Sequence, residues 1–176
     1  MKKLKITEMN RLTPDEFKES PKLPLVVVLD NVRSLHNVGS VFRTGDAFLI
    51  EAVYLCGITS TPPHAEIHKT ALGAENTVNW TYFEDTHEAV IQLKNEGYTV
   101  LAIEQVAGST LLTDLELNRN EKYAVILGNE VKGVQQSVVD MCDGCVEIPQ
   151  YGTKHSLNVS VTGGVIIWEF FRKMMF

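Results

Sequence analysis

Leu25-Val26-Val27-Val28-Leu29, followed by Asp30-Asn31-Val32-Arg33-Ser34-Leu35-His36-Asn37-Val38-Gly39-Ser40-Val41-Phe42-Arg43-Thr44, is the stretch that decides the fold. Its first five residues are an unbroken apolar run rich in β-branched side chains. A strand with one wet face would alternate apolar and polar residues. This run is therefore buried on both faces, as in a parallel sheet. The chain then turns polar and opens a helix expected over 37–49. A turn between a buried strand and a helix presents free backbone N–H groups. In open parallel sheets, ligands sit beyond the carboxyl ends of the strands.

The same grammar extends in both directions. Thr13-Pro14-Asp15-Glu16 combines an N-cap, Pro at the first helical position and Glu three residues after the cap, predicting a short helix to about residue 20. After the first strand, strands are expected over 53–56, 77–83, 98–103, 123–127 and 145–148. Helices are expected over 64–72, from Asp85 to Gly97, over 134–141 and over 157–172. Strands alternating with helices give an α/β fold with a mostly parallel, six-stranded sheet and helices on both faces. Residues 1–22 read as a short N-terminal helical extension and 23–176 as one domain.

The bulk properties fit this. At 176 residues the chain is long enough to bury a core without disulfides or metals. It is 44% hydrophobic and 22% charged, which excludes disorder, collagen and a coiled coil. No uncharged apolar stretch approaches the ~18 residues of a membrane span, and no apolar core follows Met-Lys-Lys-Leu-Lys at the start, so a cytoplasmic protein is expected. The formal charge of −6 excludes a strongly basic nucleic-acid coat, though not a local basic patch. Cys142 and Cys145 form a C-x-x-C before a strand-like run, where a redox motif would open a helix. No second ligand pair accompanies them, so no metal is expected. His64 and His68 stand at i and i+4, but no third ligand is evident; they read as solvated or RNA-facing. His87 reads as a surface residue.

Two further polar segments follow buried strands: Gly128-Asn129-Glu130-Val131-Lys132-Gly133, and Pro149-Gln150-Tyr151-Gly152-Thr153-Lys154-His155-Ser156-Leu157-Asn158. The first lacks the ending of a phosphate loop, and taken alone its glycines read as turn residues. In the second, Asn158 and Ser160 interrupt an apolar helix start and need partners or a ligand, with capping by Ser156 as the structural reading. Arg43 lies about 1.7 turns after Asn37 on one helix, beside Val41 and Phe42. An arginine there is either functional or part of an internal salt bridge.

Taken together, the three segments resemble the SpoU (TrmH-like) branch of the SPOUT RNA methyltransferases. Asn37-x-Gly39-Ser40-x-x-Arg43-Thr44 is similar to the family's first motif, Leu127-Gly128-Asn129-Glu130-x-x-Gly133 to its second, and Ile148-Pro149 with Ser156-Leu157-Asn158-Val159-Ser160-Val161 to its third. The order and spacing agree over about 25–172.

The resemblance implies S-adenosylmethionine-dependent methylation of a ribose 2′-hydroxyl in tRNA or rRNA, and a deep trefoil knot near the C-terminal end. Gly128, Leu127, Ile148 and Leu157 would line the cofactor pocket, with Ile103 and Glu104 as further walls. Arg43 would be the catalytic arginine, and Asn37, Glu130, Ser156 and Asn158 would complete the polar site. A guanidinium rarely acts as a base, so Arg43 either takes the proton with help from its surroundings or orients the hydroxyl and a phosphate. The alternative readings are a non-catalytic RNA-binding relative of the same fold and a different nucleotide-binding α/β enzyme.

The last helix carries Val159, Val161, Val165, Ile166, Ile167, Trp168, Phe170 and Phe171 and is apolar nearly all round. A monomer's surface helix shows one apolar stripe. Both this surplus and the resemblance imply a symmetric homodimer, in which Arg43 of one chain would complete its partner's pocket.

Overall fold

The computed structural model describes residues 1–176, apart from the side chain of Ile6. In chain order its elements are α1 (Pro14–Glu19), β1 (Leu23–Asp30), α2 (Leu35–Ala47), β2 (Ile50–Cys56), α3 (Ala65–Ala71), β3 (Asn79–Phe83), α4 (Thr86–Asn95), β4 (Tyr98–Ile103), β5 (Thr110–Leu111), β6 (Lys122–Leu127), α5 (Gln136–Val139), β7 (Gly144–Glu147) and α6 (Val159–Met175). The capping box expected at Thr13 and Glu16 forms and starts α1.

The sheet order is β3-β2-β1-β6-β4-β7-β5, and every pairing is parallel. β1 lies inside the sheet, with Val27 opposite Val53 on β2 and Val125 on β6. Its side chains alternate between two cores. Leu25, Val27 and Leu29 join Val38, Val41 and Phe42 of α2, Ile67 of α3 and Ile166, Ile167 and Phe170 of α6. Val26 and Val28 join Ala89, Val90 and Leu93 of α4 and Val138 of α5. Burial on both sides is why the run carries no polar residue before Asp30.

The strand count of six needs correction to seven. β5 is a two-residue edge strand, exposed at both positions, that pairs with β7. It carries no apolar run because it buries no face. Element ends shift as well. α2 begins at Leu35, because the Ser34 side chain accepts from the Asn37 N–H and caps it. α5 keeps only four residues of the helix expected over 134–141. α6 starts at Val159 and is capped by Asn158, whose side chain accepts from the N–H groups of Ser160 and Val161; Ser156 is not the cap.

Gly39 lets α2 touch α3. A Cβ there would stand 2.1 Å from the Thr70 hydroxyl and 2.3 Å from the Ile67 carbonyl oxygen. α6 buries Ile166, Ile167, Phe170 and Met174, but leaves Val161 at 51%, Val165 at 38% and Trp168 at 47% exposure along one line of the helix. Among the described residues no helix is long and apolar enough to cross a membrane.

Candidate active site

The chain lays β1, β2 and β3 outward in one direction and places β6, β4 and β7 on the other side of β1. The carboxyl ends on either side of such a reversal leave a crevice. The segments after β4, β6 and β7 enclose a cleft of about 460 Å³, within the ~300–1,000 Å³ usual for small-molecule sites. Ile103, Glu104, Leu127, Gly128, Ile148 and Leu157 all line it, as do Glu130 and Ser156. Asn37, Arg43 and Asn158 are not among its lining residues.

The loop after β6 is closed by its own sequence. The Asn129 N–H donates to the Gly133 carbonyl at 3.0 Å, and the Gly133 N–H returns a bond to the Asn129 carbonyl at 2.9 Å. The Asn129 side chain accepts from the N–H groups of Val131 and Lys132 and donates to the Asn31 carbonyl at 2.8 Å. Gly133 has φ +69°, a left-handed conformation that favours glycine. At Gly128 a Cβ would stand 2.1 Å from both the Gly133 carbonyl carbon and the Val134 nitrogen. Glu104, across the cleft, accepts from the Val134 N–H at 3.1 Å and from its neighbour Gln105 N–H. Gly128 and Gly133 are turn residues, and the turn exposes bare backbone to the cleft.

Glu130 reaches from this loop to the start of α2, more than 90 residues earlier. It accepts from the backbone N–H groups of Arg33 and Ser34 at 2.9 Å each and from the Asn37 amide at 3.1 Å. Partial burial pushes its carboxyl up, but the Arg33 and Ser34 bonds outweigh that and hold it below its ordinary value. The structure thus brings Asn37 and Glu130 together, with the carboxylate on the two N–H groups that lead into α2.

Asp30 is a second anchor. It is fully buried at the end of β1 and accepts from Asn31, Thr86 and both the backbone and side chain of Gln135. Sequence reasoning gave no role to Asp30, Asn129 or Gln105, whose amide donates to the His155 carbonyl and ties down the segment after β7. Signals existed for two of them. A carboxylate ending a wholly apolar strand needs partners, and Asn in a glycine-bounded turn favours side-chain-to-backbone bonds. Gln105 carries no such signal.

Arg43 projects from the third turn of α2 and is exposed. Among the described residues it has no ion pair or side-chain hydrogen bond, so the internal salt bridge is not formed. Ser156 and Leu157 lie at the cleft's outer edge, both exposed. The Asn158 carbonyl oxygen of the side chain accepts from Ser160 as a helix cap.

Four of the five histidines have local partners, His36 meeting Glu66 at 2.9 Å. His64 caps α3, His68 meets the buried Glu75 at 2.5 Å, and His87 contacts Asp85 and Ser137. Burial pushes the Cys142 thiol up to about 11 and the Cys145 thiol upward too, the opposite of a reactive thiolate. Among the described residues no group of three or more His, Cys, Asp or Glu side chains is placed to hold a metal ion.

Comparison with known proteins gives a consistent answer. The SpoU rRNA Methylase family matches residues 24–168. The 23S rRNA (guanosine-2′-O-)-methyltransferase RlmB of Neisseria meningitidis is 32% identical over 146 residues, covering 83% of this chain and 57% of that protein. The crystal structure of the A. aeolicus TrmH/SpoU tRNA modifying enzyme superposes with a TM-score of 0.80 at 25% identity, over 92% of this chain and 82% of that one. An AdoMet-bound rRNA methyltransferase from Sinorhizobium meliloti shares the fold with a TM-score of 0.78 at 24% identity, over 86% and 60% of the two chains. The chain spans less than two thirds of the length of the curated relatives it matches. A match that runs unbroken from β1 into α6, over the three segments that build the cleft, fixes the lineage: this chain belongs to the SpoU rRNA Methylase family.

Proposed function

We propose that the chain is an S-adenosylmethionine-dependent methyltransferase that acts on a ribose 2′-hydroxyl of tRNA or rRNA. The observation that carries the reading is the cleft itself. Leu127, Ile148 and Leu157 offer apolar walls, and the Gly128 turn offers backbone with no side chain in the way. A flat adenine ring with hydrogen-bonding edges suits that donor set, and the volume suits a nucleoside-sized ligand. Ile103, Glu104, Leu127, Gly128, Ile148 and Leu157 would hold the cofactor. When bound, it supplies an electrophilic methyl group.

The chain's own residues have the task of placing the ribose hydroxyl. A guanidinium offers five donors and no acceptor, so Arg43 orients the hydroxyl and an adjoining phosphate, and the proton passes to phosphate or solvent. Glu130 and Asn37 position the start of the helix that carries Arg43. Ser156 borders the cleft, and Asn158 fixes the start of α6. Placement of the reacting oxygen in line supplies much of the acceleration.

Because Arg43 is absent from its own chain's cleft lining, the reading includes a symmetric homodimer in which Arg43 completes the partner's pocket. The exposed Val161, Val165 and Trp168 stripe supports this, since exposed apolar stripes mark interfaces. The reading also includes a trefoil knot. β6 inserts between β1 and β4, and β7 between β4 and β5, so the chain re-enters the sheet twice after its outer strands are laid down. Residues 23–176 form the methyltransferase domain, 1–22 an extension, and the cytoplasm, where tRNA and rRNA reside, is the place of action.

Calorimetry with S-adenosylmethionine tests the cofactor, with a Kd near micromolar expected, or about −8 kcal/mol. Ribose methylation mapped in RNA from cells with and without the gene tests the reaction. Arg43→Ala should abolish transfer, leave cofactor affinity within a few-fold and not be rescued by Arg43→Lys. Cofactor binding with no change in any ribose methylation would identify a non-catalytic RNA-binding protein instead.

A further inference from the structure

The charges at the cleft are sorted in a way that the methyl-transfer chemistry does not require. Most cations elsewhere in the domain have partners. Lys69 pairs with Glu66, Lys94 with Asp143, and Arg172 and Lys173 with Glu169. Lys122 lies over the Tyr98 ring. Setting aside the N-terminal extension, the cations without an ion pair, side-chain hydrogen bond or aromatic face among the described residues are Arg33, Arg43, Lys132, Lys154 and Arg119. Arg119 precedes β6 and so lies at the opposite end of the sheet. Arg33, Lys132 and Lys154 lie in the loops after β1, β6 and β7, all at the cleft end, and all three are exposed.

Four carboxylates that follow β1, β4, β6 and β7 at this end are taken up by the chain's own donors. Asp30, Glu104 and Glu130 accept backbone N–H groups, and Glu147 accepts from the Ser109 hydroxyl at 2.8 Å. Their charge is engaged by the chain's own donors, and none reaches the three cations. The backbones beneath two of the cations are themselves fixed: the Arg33 N–H is held by Glu130, and the Lys132 N–H by the Asn129 side chain. Glu130 also occupies the Arg33 and Ser34 N–H groups that lead into α2, so these two donors are not free for a phosphate.

We propose that Arg33, Lys132 and Lys154 form a cationic rim that grips the phosphates of an RNA strand across the mouth of the cleft. The identity of the polymer rests on the methyltransferase reading; the rim itself rests on the charge arrangement. It answers a physical difficulty. A chain of net charge −6 repels RNA as a whole, and a local positive rim beside the cleft would overcome this where the ribose must enter.

The test is the salt dependence of binding of a fluorescein-labelled 15-nucleotide oligouridylate to the full chain, read by anisotropy. Each phosphate contact on a single strand adds about 0.7 to the slope of log affinity against log salt. Arg33→Ala, Lys132→Ala and Lys154→Ala should each weaken binding several-fold at low salt and lower the slope by about 0.7, and the triple variant by about 2. Lys132→Arg should keep the slope, as should Arg119→Ala, which removes the same charge from the far end. Melting temperatures should not change, because all three side chains are exposed. A triple variant with the wild-type slope, an equal effect of Arg119→Ala, or no binding by the unmodified chain overturns the proposal. Cofactor titration of the unmodified chain judges the methyltransferase reading separately. A rim effect without cofactor binding would sink that reading alone, and cofactor binding without a rim effect would sink this one alone.

Discussion

Gly128→Ala is the sharpest single perturbation of the cleft. A Cβ at 128 would stand 2.1 Å from the Gly133 carbonyl carbon and the Val134 nitrogen, where ordinary contact begins at 3.4 Å. Both atoms are backbone, so no rotamer change relieves the overlap, and the loop must retreat by about 1.3 Å. That retreat stretches the two Asn129–Gly133 bonds and the bond from the Val134 N–H to Glu104. At about 1 kcal/mol net for each bond lost, two or three bonds cost about 2–3 kcal/mol. For a chain of this length each kcal/mol lowers the melting temperature by about 2–4 °C, so a fall of roughly 4–12 °C is expected. Because the same retreat deforms a wall of the cleft, affinity for S-adenosylmethionine should fall at least about tenfold, the equivalent of 1.4 kcal/mol. Differential scanning fluorimetry and calorimetry read the two effects. Gly152→Ala is the control: a Cβ there meets nothing within 4 Å, and neither quantity should move. A Gly128→Ala protein that melts within about 1 °C of wild type and binds cofactor within about twofold would show that the loop is not closed by this contact.

Two further outcomes follow from the same geometry. The Glu130 carboxyl is held below its ordinary value of 4.5, so its contribution to stability is present above that pH and is lost as pH falls through the lowered value; Glu130→Gln should therefore destabilise the protein at pH 7 and narrow the gap from wild type below about pH 4 in urea titrations, and a constant gap across pH would contradict the charge-based account. Trp168→Glu places a charge on the largest residue of the exposed α6 stripe, so light scattering should change from about twice 19.7 kDa to the monomer mass; a wild-type chain already at the monomer mass would remove the dimer and its shared pockets.

The sequence alone determined much of what depends on neighbours along the chain. The two-sided burial of β1 is written in Leu25 to Leu29, because a strand's face assignment follows its own side-chain pattern. The capping box at Thr13 needs only Glu16. The three polar segments follow strand ends because a loop must be polar where no core covers it. Tertiary structure decided what joins distant parts. The pairing order, with β6 beside β1 and β7 beside β4, depends on contacts 98 and 43 residues apart, for which no local pattern codes. β5 was not legible because an exposed two-residue edge strand has no apolar signature. Glu130 was legible as a polar site residue, but its bonds to the Arg33 and Ser34 N–H groups, 97 and 96 residues away, appear only once β1 and β6 lie side by side. Asn158 rather than Ser156 caps α6 because the helix body, packed against β1 and α2, begins at Val159 and leaves the Ser160 and Val161 N–H groups within reach of the Asn158 side chain. Arg43 was recognisable by its motif, yet its position outside its own chain's cleft lining follows from where α2 sits on the sheet, which is a property of the folded chain alone.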